Sequence, residues 1–491
     1  MNHLPVLLVA LYLAAALGLP LLGRNKKFPA GLFAVGVAGC GLILAAASAW
    51  HVAGTGTYSY FPGGHQAPLG IEITIDWVTV FLHLTINLLA VLVLIYSTAD
   101  LSRELGGGRA KTWYYSLFFL LLAALNGIVM AFDLFNIFVF TEIGTIAACA
   151  LVAIRPKRLC VEAAFKYLVL SALGSGMVLL GIGLLYMVTG YLNIGAMAQA
   201  LPKAFAMYPW NVLVALSLFV IGLGTKAALF PLHVWLPDAH SSAPTPSSAA
   251  LSGLVIKVYA VAMARIIFQA YGAELFSRIP VPDVILVFST AGIFAGSVLA
   301  IGQTDIKRML AYSSVAQIGY IFLGFALVTM NGIVGGILHI FCHAVMKSLL
   351  FLAAGAIIFK TGIRKIEDLA GMGYRMPLTM AAFSIGALSM VGIPGFSGFI
   401  SKYYLAFGAL AADKPVYVAV ILLSSLLNAV YFFPIVVRAF FGHKEKQMTW
   451  DRLPWAMTVP MVVLAALTVI LGILPGGLVR IAELAAGAWL N

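Results

Sequence analysis

Charge is what this sequence has least of. Only 9% of its 491 residues are Asp, Glu, Lys or Arg, against 62% hydrophobic. Soluble domains average about 25% charged residues, because their surface has to be wetted. The composition therefore excludes a soluble globular protein. Acids are the scarcer sign, 17 against 29 basic residues, but the +12 balance is spread over short segments and forms no nucleic-acid patch. Cysteine is nearly missing. Cys40, Cys149, Cys160 and Cys342 stand singly with no CxxC spacing, so no iron–sulfur or zinc site is legible and no metal or cofactor is expected in this chain. A phosphate loop, a dinucleotide fingerprint and a nucleophile elbow are lacking too. No stretch between the apolar runs is long enough for a separate soluble domain.

What the sequence has in abundance is apolar runs of about 18 residues or more, each able to cross about 30 Å of hydrocarbon. They lie near 4–22, 28–50, 74–99, 112–132, 134–154, 162–189, 211–229, 247–270, 282–302, 308–330, 332–360, 378–411, 416–440 and 456–474. The expected fold is an all-α polytopic membrane protein of about 14 transmembrane helices. The first run lacks a basic start and a cleavage site, so it reads as a helix and not a signal peptide. Loop cations alternate strongly. Nineteen fall in segments after odd-numbered helices (24–27, 103–111, 155–158, 307–308, 360–375 and 438–452), and four on the other side: Lys203, Arg278, Lys414 and Arg480. Positive residues stay inside, which puts both termini outside.

Six basic residues remain within helices. Lys166 and Arg265 lie near helix ends, where a long side chain can snorkel to the interface. Lys226, Lys257, Lys347 and Lys402 are deep. A lysine at the bilayer centre costs roughly 2.5 to 3.5 kcal/mol on the insertion scale, and such groups mark ion or proton pathways. One deep acid, Glu142, stands against all four. Two of the lysines neighbour chain breaks. "GLGTKAALFPL" sets Gly222, Gly224 and Pro231 around Lys226, and "MVGIPGFSGFISKYY" sets Gly392, Pro394, Gly395 and Gly398 before Lys402. Breaks at membrane depth survive only where protein or water satisfies the backbone. Helices 7 and 12 are thus expected to be broken. They are an odd number of helices apart, as in inverted-repeat transporters. The expected organisation is 1–110 (helices 1–3), 111–272 (repeat one, helices 4–8), 273–441 (repeat two, helices 9–13) and 442–491 (helix 14). In "LHIFCHAVMKSLLF", His339, His343 and Lys347 follow i, i+4, i+8 spacing and share one helix face, a pattern suited to relaying protons. His233, Asp238 and His240 fall in what reads as a tight connection beside "SSAPTPSS", not a metal site.

Longer stretches carry a resemblance: "FDLFNIFVFTEIGTIAACALVA", "EAAFKYLVLSALGSG", "GTKAALFPLHVWLPDAHSSAPTPSSAALSGLVIKVYA", "HAVMKSLLFLAAGAI" and "GIPGFSGFISKYYL". Together they resemble the antiporter-like subunits shared by respiratory complex I, Mrp-type cation/proton antiporters and membrane-bound energy-converting hydrogenases. The wording and length are most similar to the D-type component of Mrp antiporters and its hydrogenase-complex counterpart. The resemblance implies that Glu142 is the helix-5 glutamate, Lys226 the helix-7 lysine, Lys257 the connecting residue of helix 8 and Lys402 the terminal residue of helix 12. A lysine at 402 departs from the middle pump subunit of complex I, which has glutamate there. The distal complex I subunit, with its long lateral helix, is not the pattern matched.

The function expected is proton translocation by a subunit of a multisubunit redox-driven membrane complex, related to hydrogenase or NADH dehydrogenase. Protons would pass from Lys226, controlled by Glu142, to Lys257, His339, His343, Lys347 and Lys402. The alternative is a D-type component of a Mrp-type Na+/H+ antiporter without electron transfer. Implied partners are other membrane subunits, further antiporter-like ones among them, and a peripheral iron–sulfur arm. Sodium wants oxygen ligands, and one carboxylate among cations supplies few, so any sodium path belongs to partners. The implied location is the cytoplasmic membrane of a prokaryote.

Overall fold

Lipid offers a backbone no hydrogen-bond partners, so each apolar run closes its own as a helix. In a computed structural model, which describes residues 3–25, 27–106, 108–442 and 452–490, the helices follow in order. First come α1 (Leu4–Leu22), α2 (Ala30–Thr55), α3 (Trp77–Glu104), α4 (Arg109–Met130), α5 (Leu134–Ala153) and α6 (Arg158–Thr189). Next are α7 (Ile194–Met207), α8 (Pro209–Lys226) and α9 (Trp235–Ser242). A single span then joins α10 (Thr245–Ala250), a π-helical turn Leu251–Val255, α11 (Ile256–Arg265) and a second π-helical turn Ile266–Tyr271. It is followed by α12 (Ala273–Arg278), α13 (Val281–Ile301), α14 (Ile306–Ala326), α15 (Met330–Thr361) and α16 (Met372–Arg375). The chain closes with α17 (Pro377–Val391), α18 (Ser397–Ala411), α19 (Val416–Phe441), α20 (Trp455–Ile473) and α21 (Gly476–Leu490). A small antiparallel hairpin of β1 (Tyr58–Tyr60) and β2 (Ile73–Ile75), paired Tyr58 to Ile75, sits between α2 and α3.

Among the described residues thirteen helices are long and apolar enough to cross a membrane. The fourteenth expected span is the divided one: α17 and α18 are each 15 residues, separated by the turn 392–396. Gly392 and Gly395 there have φ of 91° and 90°, a backbone region that L side chains rarely adopt. Helix 7 is also divided, but sooner than expected. α8 ends on Lys226, and residues 235–242, expected as loop, form α9. Lys26, Lys444 and Lys446, counted among the loop cations, lie outside the described residues.

Besides α9, the short α12 and α16 and two longer helices were not expected. Of the longer two, α7 buries Ile194, Met197, Leu201 and Ala204 along one stripe, and α21 buries Ala482, Ala485, Ala486 and Trp489. Trp489 stacks on Phe268 with ring centroids 5.5 Å apart, tying α21 to the Ile266–Tyr271 turn.

The spans divide into a core and a lipid-facing rim. Over an 18-residue apolar stretch of each, the span Thr245–Tyr271 is wholly buried and α14 and α15 are 94% buried, whereas α2 is 22% buried. Lys257 and Lys347 therefore sit on helices surrounded by protein.

Candidate functional site

Each deep lysine ends at backbone carbonyls or hydroxyls made available by a helix break or a neighbouring helix. Lys226 is the last residue of α8 and fully buried. Its Nζ donates to Thr145 Oγ1 at 2.7 Å and to Glu142 Oε1 at 3.4 Å, and lies 5.8 Å from the Tyr259 ring centre. Ser175 on α6 also donates its hydroxyl to Glu142. The break itself is pinned by Trp235, whose indole N–H donates to Thr225 O at 2.8 Å while its ring stacks on Tyr167 at 3.9 Å.

Lys257 donates to the carbonyl of Ser252, which lies in the π-helical turn just upstream. π-turns interrupt the regular i to i−4 ladder and recur at functional sites. The Ser252 hydroxyl meets Ser314 Oγ of α14 at 2.8 Å. Ser314 in turn donates to Leu310 O, the carbonyl that also receives Lys347 Nζ at 2.7 Å; Lys347 donates to Ser313 Oγ as well. Lys257 and Lys347 are thus joined, contact by contact, through one face of α14.

His339 and His343 stack with centroids 5.7 Å apart and planes 8° off parallel, as their spacing on α15 predicts. His339 Nδ1 shares a hydrogen bond with Ser401 Oγ at 2.9 Å. Lys402 Nζ donates to the carbonyls of Met390 and Val391 at 2.9 and 3.0 Å and to Ser425 Oγ at 3.0 Å. Those carbonyls end α17, where unsatisfied acceptors and the negative end of the helix dipole favour a cation. Lys402 and His339 also share the Tyr320 ring, at 5.2 Å and 5.3 Å. Three groups of predicted residues are therefore brought together: Glu142 with Lys226, Lys257 with Lys347, and His343 and His339 with Lys402. No protein hydrogen bond among the described residues joins Lys226 to Lys257. Both ring nitrogens of His343, and Nε2 of His339, are buried without a protein partner. Buried polar groups of this kind are ordinarily satisfied by water.

Several expectations need correction. Arg265 does not snorkel. It is 1% exposed, paired with Asp76 at 3.2 Å and with Thr79 Oγ1 at 3.0 Å. Lys307, counted as a loop cation, begins α14 and is buried, donating to Ala243 O at 2.7 Å. Glu142 is less enclosed than its place along α5 suggests: its side chain is 34% exposed on the rim of the chain, while Asp76, which caps α3, and Asp100, near the other end of α3, are buried. Lys166 does reach an exposed position, paired with Glu162 and Asp238. The trio diverges: His233, in the turn before α9, stacks on Phe230, Asp238 pairs with Lys166 and Arg308, and His240 stacks on Phe351.

Sequence reasoning missed Thr145, Ser252, Ser313, Ser314 and Ser401. A serine in an apolar helix carries no signal of its own. Only the "SS" pair at 313–314, two hydroxyls within a span, offered one.

Comparison with known proteins gives consistent likenesses. The model of the NADH:quinone oxidoreductase/Mrp antiporter transmembrane family matches residues 131–428. The N subunit of the NADH-quinone oxidoreductase of Desulforudis audaxviator (strain MP104C) is 39% identical over 96% of this chain and 96% of its own length. The D component of the Na(+)/H(+) antiporter of Alkalihalophilus pseudofirmus (strain ATCC BAA-2126 / JCM 17055 / OF4) is 32% identical over 84% and 82%. A chain of the membrane-bound sulfane sulfur reductase, an archaeal respiratory membrane complex, superposes with a TM-score of 0.92 at 32% identity, covering 99% of this chain and 98% of that one. The chain belongs to the NADH:quinone oxidoreductase/Mrp antiporter transmembrane family, as an antiporter-like multi-pass membrane subunit.

Proposed function

We propose that the chain moves protons along Glu142, Lys226, Lys257, Lys347, His343, His339 and Lys402 within a redox-driven multisubunit complex. The observation that carries this is that the four buried ammonium groups of Lys226, Lys257, Lys347 and Lys402 have a single partly exposed carboxylate among them, paired with Lys226. Three of them have only neutral oxygens as hydrogen-bond partners. Such a set suits groups that gain and lose a proton better than it suits static ion pairs. Lys226 is the switch. An ion pair at about 4 Å gains about 4 kcal/mol at the effective dielectric of a protein surface, less here because Glu142 meets the rim. Drawing Glu142 away removes that support, and Lys226 then yields its proton toward Lys257. The α14 serines carry the connection to Lys347, and the stacked histidines carry it to Lys402. Because Glu142 lies on the rim, a neighbouring membrane subunit is in position to offer it a competing cation.

The test is Lys226→Ala in membrane vesicles holding the intact complex. Proton movement is expected to fall at least about tenfold, as loss of an interaction worth 1.4 kcal/mol or more would do. Wild-type rates would end the relay reading. Driving electron transfer is assigned to a peripheral iron–sulfur arm of the assembly, because a quinone oxidoreductase subunit, at 39%, and a chain of a respiratory complex, at 32%, are more identical to this chain than the antiporter subunit, at 32%, and the chain of a Mrp complex, at 26%, with which they respectively compare. The antiporter relative supports the second reading, a Mrp-type assembly. Iron in the purified complex favours the first, and its absence the second.

The two-repeat organisation, 111–272 and 273–441, is proposed on a constant offset. α6 and α15 each have 32 residues and end on a left-handed glycine, Gly190 and Gly362. Asp133 and Asp305 cap α5 and α14, and they form matching bridges to Asn193 and Lys365. All of these pairs are 172 residues apart. Insertion in opposite senses, with both termini outside, completes the proposal.

A further inference from the structure

At the end of α1 that leads into α2 lies a cavity of about 760 Å³. Its walls come from residues 23–25 and 28–32, running from the end of α1 into the start of α2, from the start of α4 and from Thr98 of α3. Arg24, Arg109 and Lys111 line it together with the hydroxyl-bearing Thr112 and Tyr115, and no acidic side chain does among the described residues. Neither guanidinium has an acidic partner among those residues. Lys111 donates to Ser102 Oγ at 2.8 Å, a neutral group. Two helices also start at this cavity, α2 and α4, and neither has a side-chain cap on its first turn. Their free N–H groups add partial positive charge to the three cations. The cavity is an uncompensated anion site.

Its depth identifies the anion. α1 has 19 residues, about 28 Å of helix, which is close to the thickness of the hydrocarbon layer, so the turn after it lies at headgroup level. Below the cations, toward the hydrocarbon, Leu21, Leu22 and Leu32 are exposed at 63%, 45% and 72%. Trp113, which follows the cavity-lining Thr112 in α4, is half exposed near the headgroup level where interfacial tryptophans anchor. α2 is the least buried of the spans and faces lipid. A phosphate held by the cations with acyl chains on an apolar flank describes a glycerophospholipid. The cavity is on the side of the molecule richer in loop cations. We infer that it binds the headgroup of one anionic phospholipid, the chemistry by which basic pockets between spans select such lipids.

The test uses the intact complex in detergent, supplied with phosphatidylglycerol or phosphatidylcholine of matched chains, with bound lipid counted by native mass spectrometry. The wild type is expected to retain phosphatidylglycerol in preference to phosphatidylcholine. The triple variant Arg24→Gln, Arg109→Gln, Lys111→Gln is expected to lose at least about tenfold of that affinity, since each cation near the surface contributes on the order of 1 kcal/mol. Lys157→Gln with Arg158→Gln, on the same side but outside the cavity, is expected to change nothing. Equal retention by the triple variant overturns the inference, as does a wild type without preference, or one in which inorganic phosphate binds and the lipid does not. Should the triple variant fail to assemble, a photoreactive phosphatidylglycerol on the wild type decides. Adducts in 23–32 or 108–115 support the site, and adducts only elsewhere, as when another subunit covers it, overturn it.

Discussion

At the scale of single residues the membrane interior sorts cations into two kinds. Arg265 is paired with Asp76 and also donates to Thr79 and the Ala131 carbonyl. Lys226, Lys257, Lys347 and Lys402 are held mainly by neutral oxygens. The first kind is architecture. Arg265→Leu leaves Asp76 buried without its partner, and is expected to destabilise the protein by about 3–5 kcal/mol. Asp76→Leu combined with Arg265→Leu should recover most of that loss, read as melting in detergent. If the double variant is no more stable than the single one, the pair does more than offset its own charges. The second kind carries the proposed relay, and Ser313 tests how far that relay depends on hydroxyls. Ser313→Ala removes one of the two acceptors of Lys347 while leaving Leu310 O. A hydrogen bond to a charged group is worth about 1.5–3 kcal/mol. Proton movement should therefore fall about tenfold or more with assembly intact, measured in the same vesicles as Lys226→Ala.

At the scale of elements, what the sequence revealed follows from which forces are local. Apolar length is local, so the spans and the division of helix 12 were legible. The i, i+4, i+8 face of His339, His343 and Lys347 was legible for the same reason. The partner of Arg265 was not, because Asp76 is 189 residues away and nothing in either segment names the other. Lys307 misled because the positive-inside count treats a cation near a helix end as solvated, whereas here α9 and α10 fold back over it and offer Ala243 O. α21 had a readable stripe at 482, 485, 486 and 489, masked by its shortness and by Arg480 and Glu483. The broken helix 12 supplies a graded test. An added Cβ at Gly472 of α20 would collide with the carbonyl oxygen of Gly395, a backbone atom that cannot move aside. At Gly476 it would meet nothing within 4 Å. Gly472→Ala is expected to cost about 1–3 kcal/mol by overpacking and to lower proton movement by displacing the turn before Lys402, while Gly476→Ala should do neither. Equal melting temperatures for the two variants would mean that α20 does not hold the break.

At the scale of the whole molecule, the 172-residue offset supports the proposal that one five-helix design is used twice, once around the α8 break and once around the α17–α18 break. The two copies are not chemically equal. The first sets its lysine beside a carboxylate at the rim, where another subunit can act on it, and the second sets its lysine on helix-end carbonyls. An input that responds to partners and an output that does not is the asymmetry a directional relay needs, and it follows only if the copies insert in opposite senses. Labelling from either side of the membrane decides this. Tyr191 and Lys365 occupy nearly matching places after the two 32-residue helices and are both exposed. With exposed Cys40 replaced by Ala, Tyr191→Cys is expected to react with an impermeant maleimide only from outside, and Lys365→Cys only from inside. Reaction of both from one side would remove the inverted repeat. Reversed labelling would keep the repeat, turn the molecule over, and require protons to enter from the opposite face.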